Sequence, residues 1–251
     1  MRTYLAITVA ALMMHGSVEP TWAQHNPDRE RARIPYRLGW THMRAEAWEQ
    51  AARSFEQAID IDREFELAYY MLGRANMALK KYVEAVAAYS KCRDLYLAQA
   101  GHQFSNLQEA QRSRANKLTE LDDMIRQIQA APVTAQRQEQ MRQLQERRQR
   151  IQDAISSGYT LTLESTVPPW VSLALGSAYF RAERFVDAER EFKATIAADP
   201  KTGEAHNNLA VVYLETRRFD EAEKAVKAAE KAGFKVNPML KDDIKAKKSG
   251  S

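Results

Sequence analysis

The stretch YYMLGRANMALKKYVEAVAAYSKC, Tyr69 to Cys92, sets a glycine inside an apolar run and then places aromatic and small residues at fixed intervals. From Gly73, rings fall at +9 and +16 (Tyr82, Tyr89) and small residues at +12 and +19 (Ala85, Cys92). Steps of three and four are the period of one helix face. The same ladder runs from Gly39 through Trp48, Ala51, Phe55 and Ala58, and from Gly176 through Phe185, Ala188, Phe192 and Thr195. It recurs from Ala210 through Phe219, Ala222, Val226 and Ala229, and a leucine precedes each start: Leu38, Leu72, Leu175 and Leu209. Gly39 to Gly73 is 34 residues, and so is Gly176 to Ala210.

A 34-residue period, with Leu-Gly in one helix and a ring, small, ring, small ladder in the next, resembles the tetratricopeptide repeat (TPR) family. The resemblance implies an all-α solenoid of about four helix pairs. The glycines let two antiparallel helices approach, and the rings fill the gaps. A helix pair of this kind cannot bury its apolar face alone, so neighbouring pairs must stack. The first unit departs from the pattern with Pro35 and His42 in its first helix, and the fourth departs with Ala210 in place of glycine.

Gly73 to Gly176 spans 103 residues, one period plus an insertion of 69. Within it Leu118, Leu121, Ile125 and Ile128 keep a 3-4-3 spacing, and Met141, Leu144, Ile151 and Ile155 keep 3-7-4, with Arg148 in the missing step. Both are heptad-like seams. Pro132 stops the first helix and Thr134 can cap the next. Residues 104–156 therefore read as an antiparallel, coiled-coil-like hairpin with arms of about 35 to 40 Å, resting on the repeat body or on a second copy. Gly101 is expected to bend the entry, and residues 156–169 read as a return loop or a short extended piece. From Asn237, Met239, Leu240 and Ile244 give a short capping helix with a Lys-rich end.

The first 23 residues have a basic start at Arg2, an apolar run from Leu5 to Met14 and TWA ending at Ala23. This matches a cleaved secretory leader, and the run is too short to span a bilayer. No cysteine follows it, which argues against a lipoprotein, and the lone Cys92 excludes an intramolecular disulfide. The expected division is 1–23 signal peptide, 24–98 repeats 1 and 2, 99–168 hairpin and return loop, 169–236 repeats 3 and 4, and 237–251 cap and tail.

Catalytic constellations are missing from the sequence. His15, His25, His42, His102 and His206 are dispersed, and no CxxC, HExxH, GxSxG or phosphate-binding glycine loop is present. Neither a metal nor a cofactor is expected. The net charge of +4 is spread over both signs, so Arg147 and Arg148 read as a solvated face rather than a nucleic-acid site. Cys92, at an in-phase small position, reads as a packing residue.

What remains is recognition. The resemblance implies a concave face lined by the first helix of each pair. Carried over position by position, its candidates are Tyr36, Arg37, Trp40 and Arg44, then Tyr70, Met71, Arg74 and Met77. In the later units they are Leu173, Ser177, Phe180 and Arg181, then Asn207, Asn208, Val211 and Leu214. Asn208 matches a place where the family often holds a ligand's backbone. The Lys-and-Asn clamp for a C-terminal carboxylate is not reproduced. The expectation is a non-enzymatic, periplasmic or secreted bacterial scaffold that binds a partner protein or peptide on this face. It binds no nucleic acid and is not stably inserted in the membrane once the leader is cleaved. The alternative is a structural component that oligomerises through the hairpin seams.

Overall fold

The computed structural model describes residues 27–99, 107–130, 135–156 and 167–249. These form eleven α-helices and no strand among the described residues. They are α1 (Pro27–Arg44), α2 (Trp48–Ile61), α3 (Glu66–Ala78), α4 (Tyr82–Gln99), α5 (Leu107–Gln129), α6 (Ala135–Ser156), α7 (Pro169–Arg181), α8 (Phe185–Ala198), α9 (Gly203–Glu215), α10 (Phe219–Lys231) and α11 (Pro238–Ser249). The leader expected at 1–23, Gly101, Pro132, Thr134 and most of the return loop lie outside the described residues. Among the described residues no helix is long and apolar enough to cross a membrane.

The ladder becomes helix pairs for a steric reason. A Cβ on Gly39 would stand 2.5 Å from the Phe55 ring, one on Gly73 2.6 Å from Tyr89, and one on Gly176 2.7 Å from Phe192. In each pair the ring of the second helix fills the space that a side chain on the first would take. The fourth pair makes the exchange in the other direction, with Ala210 on α9 and the smaller Val226 on α10, both buried. The sequence departure at Ala210 is thus matched by a departure sixteen residues later.

Each helix pair turns through a left-handed residue: Glu46, Lys80, Glu183 and Arg217, with φ from 55° to 59°. The following amide then bonds back to the first helix, as in Lys81 N–H to the Asn76 carbonyl at 2.9 Å and Arg218 N–H to the Tyr213 carbonyl at 2.8 Å. This closes the orphan carbonyls at each helix end.

Pairs stack in order, with α2 on α3 and α8 on α9. Between the second and third pairs the chain skips its own insertion, and α4 packs directly on α7. Trp170 of α7 meets Tyr70 at 4.4 Å and Tyr96 at 6.1 Å between ring centroids, and Arg93 of α4 reaches Glu191 of α8 at 2.8 Å. α5 and α6 pack on each other and rest on the repeats, because Leu121, Met124 and Leu144 are buried in the common core. At the far end α11 covers α10 with Ile244. Asn237 caps α11, its Oδ1 accepting the Met239 N–H at 3.0 Å.

Gly73→Ala is expected to destabilise the protein by about 1–3 kcal/mol through overpacking. Adding Tyr89→Val, the arrangement already present at Ala210 and Val226, should cost less than the two single changes summed, by about 1 kcal/mol or more. Urea unfolding of the four proteins checks this. Additive costs would show that ring and glycine do not share one space.

Candidate functional site

The first helices α1, α3, α7 and α9 carry the residues expected to meet a partner, and burial divides them. Tyr36, Tyr70, Met71 and Leu214 are buried instead of facing a partner. Tyr36 lies between Phe55 and Phe65, with ring centroids 5.8 and 4.8 Å away, and Tyr70 lies between Tyr89 and Trp170. These side chains point along the stack and serve as packing. Arg37, Arg44, Arg74 and Arg181 are exposed, and Trp40, Met77, Leu173, Ser177, Phe180, Asn207, Asn208 and Val211 are half-buried. Arg74 sits over the Trp40 ring at 5.9 Å, joining α3 to α1 in a cation–π contact.

Ser177, Phe180 and Arg181 of α7 come together with Asn208 and Val211 of α9 around a groove of about 280 Å³. Its floor is Phe192 of α8. Gly176 explains the floor, since without a side chain there the ring of α8 lies directly under α7. The groove therefore has an apolar base and wall, an amide at one side and a guanidinium at its rim. Such a site can hold an apolar side chain while pairing a neighbouring carboxylate with Arg181.

On the first two repeats α5 covers part of the same face, at Arg29, Arg37 and Glu66, and leaves Arg44 and Arg74 exposed. Arg29 of α1 pairs with Asp62, at the turn into α3, and with Glu120 of α5. It also reaches Glu66 at 3.3 Å and the Glu64 carbonyl at 2.8 Å. Lys117 of α5 pairs with the buried Glu66 and lies 4.6 Å over the Tyr96 ring. Arg37, expected to face a partner, instead approaches Asp123 of α5 at 3.6 Å. The second arm attaches further along, where Gln143 of α6 donates to Asp199, at the turn into α9, at 3.1 Å. Burial raises the Glu66 carboxyl, but Lys117 and then Arg29 outweigh it and hold it down at about 2. Burial, followed by the charge of Glu66, pushes Glu120 the other way, above its ordinary value.

Residues 36–96 and 173–234 match the sequence profile of the tetratricopeptide repeat. The chain belongs to the tetratricopeptide repeat family. Among solved structures, the crystal structure of MamA is 16% identical, covers 83% of this chain and 81% of its own, and superposes with a TM-score of 0.51, which shows a shared fold. PilW, described as a widely conserved type IV pilus biogenesis factor, is 15% identical over 83% of this chain and 80% of its own, with a TM-score of 0.37. TTC0263, a thermophilic TPR protein of Thermus thermophilus, is 19% identical over 86% of this chain and 98% of its own, with a TM-score of 0.34. No curated protein matches the chain.

The two stretches that match the profile are the two pairs of TPR units, and α5 and α6 lie between them. The lock that holds α5 has no counterpart in the repeat pattern, because Arg29, Glu66 and Lys117 come from three helices with no shared spacing. Its expected energetic signature is a pH dependence. Folding lowers the Glu66 pKa, so its contribution is present above the ordinary glutamate value of about 4.3 and is lost as pH falls toward 2. Lys117→Met should cost about 1–3 kcal/mol at pH 7 by leaving the buried Glu66 carboxylate with Arg29 alone, and much less at pH 3, where that carboxyl takes up a proton in the variant. Unfolding titrations at both pH values check this. A cost independent of pH would remove the Lys117–Glu66 pair as its source.

Proposed function

We propose that this TPR protein is a non-enzymatic adaptor of the bacterial cell envelope that docks a segment of a partner protein in the groove across α7 and α9. The observation that carries the reading is the convergence of Ser177, Phe180, Arg181, Asn208 and Val211 over the Phe192 ring. The apolar floor favours a leucine- or phenylalanine-like anchor. Exposed Arg181, with Arg74 and Arg44 further along the same face, favours carboxylates beside that anchor. The leader read at residues 1–23 supports an exported protein. Nothing in the groove is built to react, and the thiol of Cys92 is buried, with burial and then Glu66 pushing it well above its ordinary value. The alternative of assembly through the hairpin seams draws less support, because Leu121, Met124 and Leu144 are already buried within one chain.

Affinity capture from envelope extract, with the mature chain as bait, tests the proposal. Phe180→Ala, Arg181→Ala and Asn208→Ala combined should reduce recovery of the partner at least about tenfold, since anchors of this type carry about 2 kcal/mol or more each. An unchanged circular dichroism spectrum would show that the repeats stay folded. A control change of exposed Arg53 and Glu56 on α2 should leave recovery intact. Equal recovery by all three baits would sink the groove as the docking site.

A further inference from the structure

The face that the groove leaves open in repeats 3 and 4 is partly covered in repeats 1 and 2, around Arg29, Arg37 and Glu66, and the cover is part of the chain. α5 presents Lys117, Glu120, Leu121, Asp123 and Met124 to the repeats, a spacing of three and four that forms one side of a helix. Leu121 and Met124 are buried, and the two carboxylates meet Arg29 and Arg37 of α1 while Lys117 meets Glu66 of α3. Arg37 lies on α1 at the place that Asn208 of the groove holds on α9, so α5 reaches the surface that the resemblance assigns to ligands.

Two further observations bear on how this contact is held. The repeats have a junction of their own, since α4 packs directly on α7. The seam is also incompletely satisfied on both sides: Nε and Nη2 of Arg33 and Oε2 of Glu120 are buried without a hydrogen-bond partner. Such groups penalise the docked state.

We infer that α5 is a tethered ligand of repeats 1 and 2, displaced when a partner protein presents an amphipathic helix of the same pattern: Lys, Glu three residues on, then Leu, Asp and Met on the same side. This extends the docking reading to a second stretch of the same face. It is tested with the chain's own segment, so its failure leaves the α7–α9 groove standing.

The probe is a fluorescein-labelled synthetic peptide of residues 107–130, added to the mature full chain and to its Glu120→Gln, Asp123→Asn variant. A face covered by its own helix binds in proportion to the fraction uncovered. The variant, whose α5 is held less tightly, should therefore bind the unaltered peptide about tenfold or more tighter than the wild-type chain does. A peptide carrying the same two substitutions should bind neither chain. Hydrogen exchange should show α5 and α6 losing protection in the variant while α3, α4 and α7 to α10 keep theirs. Two results would overturn the inference: no peptide binding by a folded variant whose α5 has lost protection, or loss of protection in α3 and α4 together with α5, which would make the hairpin part of the core. A concentration-dependent dimer of the variant would assign the face to a second copy, and so overturn the assignment to a partner.

Discussion

The architecture depends on the clearance between a glycine on one helix and a ring on the next. At Gly39, Gly73 and Gly176 the opposing ring stands closer to the first helix than any side chain would allow. Those contacts set the distance between the two helices of a pair. That distance lets Ala51, Ala85 and Ala188 disappear from solvent, and it brings the ring of Phe192 through to the far side of α7. The groove is thus a by-product of the packing rule. It lies where a missing Cβ uncovers an aromatic ring.

This dependence explains what was legible in the sequence. A constraint repeated every 34 residues leaves the same residue types at the same offsets, so helix pairs, phase and insertion can be read from one chain. The α9–α10 pair shows that the constraint acts on volume and not on residue identity, because alanine and valine share the space that glycine and a ring share elsewhere. Ser177, Phe180, Arg181, Asn208 and Val211 were legible in the same way, as phased positions on a first helix.

The illegible parts are those that phase cannot carry. Tyr36, Tyr70, Met71 and Leu214 hold phased positions, but whether such a side chain points to solvent or along the stack depends on the size of its neighbours in the adjoining pair. Phe65 and Trp170 settle that question for the two tyrosines. The ionic lock under α5 was hidden for a different reason. Arg29 and Glu120 are 91 residues apart, and complementary charges in a chain with 28% charged residues give no sign of which pairs will meet. Burial makes the lock strong, and burial at that site appears only once the hairpin has folded back.

The direct packing of α4 on α7 also bears on how the molecule reaches its native state. A regular repeat array folds through contacts between sequence neighbours, which is why such proteins have low contact order and quick, local nucleation. Here the central junction joins residues such as Tyr70 and Trp170, 100 positions apart, and each doubling of an intervening loop adds only about 0.6 kcal/mol to the entropy of closing it. The insertion therefore weighs little at equilibrium and much on the pathway. It divides the array into two sets of local contacts, α1 to α4 and α7 to α10, joined by one non-local junction.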